Sequence, residues 1–106
     1  MDKKGTLVEQ LQAFAKEISN DYPIKKMILF GSQATGKAGK HSDVDLIIVS
    51  GTFAQKRRLV RSPPLYLKWN LNYPVEFICL TPEEFEKKKK QAGIVQQAVK
   101  EGIEIA

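Results

Sequence analysis

The chain has 106 residues, 42% of them hydrophobic and 27% charged, the composition of one folded domain with a modest core. This excludes a collagen-like, mostly disordered or disulfide-stapled chain. Lys and Arg number 17 against 12 Asp and Glu, a net charge of +5, which suits an anionic partner such as a nucleotide without identifying one.

Leu7, Val8, Leu11, Phe14, Ala15 and Ile18 fall at helical spacing, with Glu9, Gln10, Lys16 and Glu17 on the opposite side. Thr6 and Glu9 fit a capping box at the start of that helix, and Tyr22-Pro23 ends it. Residues 24–30 read as a short buried strand. Residues 31–42 hold Gly31, Gly36 and Gly39 and little that is apolar, so they form a loop with room for one helical turn. Residues 43–49 are a second strand, with Val44, Leu46 and Ile48 on one side and Asp43, Asp45, Ile47 and Val49 on the other. Residues 54–69 have a helical look but are broken at Ser62-Pro63-Pro64, which predicts two short helices or a helix and a loop.

Residues 74–80 are a third strand with Glu76 embedded in it. Thr81-Pro82-Glu83-Glu84 is a second capping box, and the helix it opens should pair Glu83, Glu84 and Glu86 with Lys87, Lys88 and Lys90 four residues on. A further helix over 94–100 is capped by Gly102, and residues 103–105 can add an edge strand. Strands alternate with helices, so residues 1–106 are expected to form one α/β or α+β domain. Cys79 is the one cysteine and cannot close an internal disulfide, so a reducing compartment is the simpler reading. No run reaches the roughly 18 apolar residues of a membrane span, and the N-terminus is too polar for a secretory signal. A cytoplasmic protein without a membrane partner is the expectation.

The informative constellation is Gly31-Ser32, ten residues, then Asp43-Val44-Asp45. Gly31 ends a strand where a missing side chain lets backbone approach a ligand. Ser32 adds a hydroxyl and opens a turn whose free N–H groups suit an anion. Asp43 and Asp45, two apart on a strand, leave the same face. Two like charges on an apolar strand are costly without a cation or a proton, and hard oxygen ligands suit Mg²⁺. If the strand of Glu76 is a neighbour, its carboxylate joins that face, and three carboxylates can serve two ions in phosphoryl or nucleotidyl transfer. A rival pattern, Gly31-x-x-x-x-Gly36-Lys37, matches the phosphate loop, but Ala38 stands where Ser or Thr should hold Mg²⁺ and no helix follows. Lys37, Lys40 and His41 remain candidates for neutralising phosphate charge, though for His41 a solvated loop residue is the favoured reading.

The run Ile-Leu-Phe-Gly31-Ser32-Gln-Ala-Thr-Gly with His-Ser-Asp43-Val-Asp45-Leu-Ile-Ile-Val resembles the polymerase-beta-like nucleotidyltransferases, and within them the minimal nucleotidyltransferases. The resemblance implies a small mixed sheet flanked by helices, packed mainly on one side. It implies transfer of a nucleoside monophosphate, AMP from ATP or that of another nucleoside triphosphate, to a hydroxyl. Carried over, Gly31, Ser32 and Lys37 would bind the nucleotide. Asp43, Asp45 and Glu76 would be catalytic and hold two Mg²⁺ ions. The sequence departs from the family in carrying Glu76 where Asp is common, and Gln33 and Thr35 where relatives have arginines. Lys37 or Arg57, Arg58 and Arg61 are the candidate substitutes; for the arginines an ordinary solvated helix face is the competing reading.

In larger relatives a helical domain holds the acceptor, and residues 1–106 are not expected to include one. The acceptor is then expected on a partner, a second copy or a small molecule. The resemblance implies a small helical partner of the HEPN type, as in toxin–antitoxin pairs where the transferase is the antitoxin. The alternative is a binding module that neutralises such a partner by contact with little catalysis. Tyr66, Trp69 and Tyr73 form a stripe read as core, with a partner surface as its alternative. The Lys87–Lys90 run reads as a solvated helix face. Nucleic-acid binding is allowed by the charge but lacks a basic and aromatic platform.

Overall fold

The computed structural model describes residues 3–36 and 43–106, with side chains described from residue 7 onward. Lys37, Lys40 and His41, raised above as phosphate partners, lie outside the described residues. The element order is α1 (Lys3–Ile18), β1 (Lys26–Phe30), α2 (Ser32–Thr35), β2 (Val44–Val49), two 3-10 turns (Gly51–Gln55 and Arg58–Val60), α3 (Pro63–Lys68), β3 (Val75–Leu80), α4 (Pro82–Lys88), α5 (Ile94–Glu101) and β4 (Ile103–Glu104).

The four strands form a mixed sheet in the order β3-β2-β1-β4. β1 runs antiparallel to β2 and to β4, whereas β2 and β3 are parallel. A parallel pair needs a crossover connection, and the two 3-10 turns with α3 provide it. Their Phe53 and Leu65 join Leu7, Leu11, Phe14 and Ile18 of α1 over Met27, Leu29, Val44, Leu46, Ile48 and Phe77. On the opposite face Phe85 of α4 and Val95 and Ala98 of α5 cover Ile28, Phe30, Ile47, Val49 and Leu80.

Helices therefore pack on both faces, which corrects the expectation of a sheet covered mainly on one side. The sequence carries the reason. Leu46, Ile47, Ile48 and Val49 are all fully buried, and a strand apolar on both sides needs a cover on each.

Other expectations shift locally. α1 begins at Lys3, so Thr6 lies within the helix instead of capping it. The stretch after β2 is not helical over 54–61 but makes two 3-10 turns; Arg61 is the one buried residue in that range, too few for a helix's apolar face. The α4 capping box is present: the Thr81 hydroxyl accepts from the Glu84 N–H at 3.1 Å, and Glu84 Oε1 accepts from the Thr81 N–H at 2.9 Å. The i,i+4 pairs expected along α4 are replaced. Glu84 turns to Arg61, and Glu86 pairs with Lys89 at 2.9 Å.

Candidate active site

β1 ends at Gly31, whose φ of 76° and ψ of −158° belong to backbone that side chains rarely adopt. The expected helical turn follows as α2, closed by Ala34 and Thr35 N–H groups donating to the Gly31 carbonyl at 3.1 and 3.2 Å. Glycine is needed here for space as well as for dihedral freedom. A Cβ on Gly31 would come within 2.5 Å of Asp45 Oδ2.

Asp45 pairs with Phe30 across the antiparallel β1–β2 ladder and with Glu76 across the parallel β2–β3 ladder. Partners across adjacent strands sit about 4.8 Å apart and on the same face. Asp43, two residues before Asp45, shares that face. It stands just ahead of β2, where Val44 N–H already donates to the Pro74 carbonyl at 2.8 Å. Asp43, Asp45 and Glu76 thus form an acidic row beside Gly31, at the end of the face that α4 and α5 cover.

Burial grades along the row. Asp45 is half-buried, and Asp43 and Glu76 are exposed. Glu76 is thus not the buried carboxylate that its apolar strand suggests. The Asp45 carboxyl is held above its ordinary value, first by burial, then by the negative charges of Glu76 and Asp43. Among the described residues, no three His, Cys, Asp or Glu side chains are gathered closely enough to hold a metal ion. The donor set nevertheless fits a hard divalent cation: it is all carboxylate oxygen, and its central member is destabilised by like charge that a cation would offset. A groove of about 530 Å³ between α1 and Ile105 and Ala106 lies away from this row and has no Asp or Glu side chain among its described lining residues.

Arg61 is neither a phosphate ligand nor a solvated helix residue. It is buried, and it donates to Glu84 Oε1 at 2.6 Å, to the Cys79 carbonyl at 3.2 Å and to the Lys56 carbonyl at 3.1 Å. Cys79 is near the far end of β3 from Glu76, so Arg61 ties down the end of the sheet opposite the acidic row. Arg58 approaches the same Glu84 at 3.7 Å. These contacts hold Glu84 down at about 2, mainly through the Arg61 hydrogen bond. The Cys79 thiol is pushed up to about 12 by burial, which leaves it unreactive.

The aromatic stripe divides. Trp69 and Tyr73 pack on the α1 core, with the Trp69 indole donating to the Tyr73 carbonyl at 2.8 Å. Tyr66 stays partly exposed. Its ring meets Phe77 edge-on at 4.9 Å, and its hydroxyl accepts from the Phe77 N–H at 3.3 Å. β3 is an edge strand, so Tyr66 occupies an amide that would otherwise be open to another strand. Neither this role nor that of Arg61 had a signal in the residue spacing.

The same architecture occurs in a candidate nucleotidyltransferase from Sulfolobus solfataricus, with a TM-score of 0.68 over 95% of this chain and 80% of that one. At 19% identity the likeness is one of fold. A second candidate nucleotidyltransferase of known structure is 27% identical over 77% of this chain and 86% of its own, with a TM-score of 0.49. No curated protein matches the chain. The model of the nucleotidyltransferase domain matches residues 11–105, all but the first ten residues and the last. The chain belongs to this polymerase-beta-like nucleotidyltransferase family, and it is a transferase by that membership.

Proposed function

We propose that the chain transfers a nucleoside monophosphate, AMP from ATP, to a hydroxyl of a partner protein, with the acidic row as its catalytic centre and Mg²⁺ as the cation. The observation that carries this reading is the register that sets Asp45 opposite Glu76 with Gly31 against its carboxylate.

Asp43, Asp45 and Glu76 would hold the divalent ions. When bound, these neutralise the triphosphate and acidify the acceptor hydroxyl. Gly31 leaves room for the Asp45 carboxylate beside the turn, and the Ser32 hydroxyl and N–H would bind the phosphates; Lys37 is the proposed charge partner. Glu76, exposed on the outermost strand of the three, faces the side from which an acceptor arrives, and its carboxylate can accept the hydroxyl proton. The acceptor oxygen bonds to the α-phosphorus, the bond to the bridging oxygen breaks, and pyrophosphate leaves. A small helical protein of the HEPN type is the partner that the minimal-subgroup resemblance supplies for the acceptor.

The test is incubation with labelled ATP, Mg²⁺ and such a partner. Label should move to the partner with the native chain and not with Asp43→Ala/Asp45→Ala. Transfer that survives the double substitution overturns this centre. Calorimetry showing no ATP binding with Mg²⁺ would leave the contact-only module instead.

A further inference from the structure

Isolated exposed apolar side chains are ordinary on a protein surface. Here four of them crowd into one short stretch. Leu59 is 89% exposed, Val60 51%, Tyr66 43% and Leu67 89%. They belong to the second 3-10 turn and α3, which together form a flap along the open edge of β3. The flap is fixed from beneath by Leu65 in the core, by the Tyr66 bond to Phe77 and by the buried Arg61. Its apolar residues therefore stand on a built platform.

The charge around them has one sign. No Asp or Glu occurs between Asp45 and Glu76, whereas Lys56, Arg57, Arg58, Arg61 and Lys68 do. Arg61 is neutralised by Glu84, and Lys68 by Asp21 at 2.8 Å. Among the described residues Lys56 and Arg57 make no ion pair, and Arg58 has only the distant share of Glu84.

Resting on the reading that a partner protein supplies the acceptor, we propose that this flap is a docking surface for a partner protein that presents an apolar face edged by acidic side chains. The positive rim selects the acidic edge, and Leu59 and Leu67 supply the buried contact. A second copy would bring two basic rims together, which like charge opposes. An anionic membrane surface is the competing occupant, and the test includes it.

The test uses the full chain without nucleotide, so its result is independent of catalysis. A labelled amphipathic helical peptide of about five turns, with a leucine face edged by Glu, is titrated by fluorescence anisotropy beside a twin edged by Lys. The Glu peptide should bind and the Lys twin should not. Leu59→Ser/Leu67→Ser, checked for folding by circular dichroism, should weaken binding about tenfold or more. Arg57→Glu should weaken it as well and shift preference toward the Lys twin. Equal binding by native and variant chains, no binding of the Glu peptide, or preference of the native chain for the Lys twin overturns the proposal. So does self-association in sedimentation that the double substitution abolishes, which would assign the flap to a second copy. Binding to phosphatidylglycerol vesicles that the double substitution abolishes would assign it to a membrane and overturn the proposal equally.

Discussion

The carboxylate of Asp45 lies against Gly31, so close that a Cβ on the glycine would stand 2.5 Å from Oδ2. The turn that would bind phosphate and the strand that carries the acids are thus one packed unit.

Gly31→Ala should therefore damage both stability and transfer. The new methyl group meets Asp45, and the φ of 76° is strained for any side chain. A loss of about 1–3 kcal/mol in urea unfolding is expected, together with loss of label transfer. Full activity in this variant would show that the turn and the acidic row are not coupled.

Asp45 carries a pH signature. Its folded carboxyl is raised above the ordinary 3.8, so the folded state binds the proton more readily than the unfolded one. Its contribution to stability is present below the unfolded value and is lost as pH rises through the folded one. Asp45→Asn should raise the melting temperature at pH 7 and flatten its change between neutral pH and about pH 4. Mg²⁺ should stabilise the native chain and not this variant, and chelation should remove the effect.

Glu84 behaves in the opposite sense. Its folded value of about 2 lies below the ordinary 4.5, so its contribution is full above 4.5 and fades as pH falls toward 2. Glu84→Ala leaves the buried Arg61 guanidinium without its carboxylate and also removes half of the α4 capping box. Removing one partner of a buried pair costs about 3–5 kcal/mol; with Glu84 itself partly exposed, about 2–3 kcal/mol is expected in urea unfolding. Nucleotide binding should remain, since the pair sits at the opposite end of the sheet from Asp45.

Tyr66→Phe keeps the edge-on contact with Phe77 and removes the acceptor of its N–H. A loss of about 1 kcal/mol is expected, with faster hydrogen exchange at the Phe77 amide. Unchanged exchange would mean that the hydroxyl does not protect the strand edge.

Glu76→Gln removes a proton acceptor and weakens a cation ligand while keeping the side chain's size. A lost general base costs about 10²–10⁴-fold in rate. The variant should lower kcat by such a factor with KM for ATP little changed, measured by label transfer. A pure KM effect would assign Glu76 to nucleotide binding instead.

What the sequence determined by itself was local. The strand of residues 43–49, found at 44–49, the α4 capping box and the turn after Gly31 each follow from neighbours within a few residues, through periodicity or a short-range hydrogen bond. The Gly31-Ser32 and Asp43-x-Asp45 pattern was legible for the same reason, and with it the family. Only the tertiary structure decided that Glu76, 31 residues beyond Asp45, would be its neighbour, because that depends on strand order and register. It also decided that Arg61 would be buried on Glu84 and that Tyr66 would cover the edge of β3. Such partners are chosen by which surfaces the fold brings together, and no spacing along the chain encodes that choice.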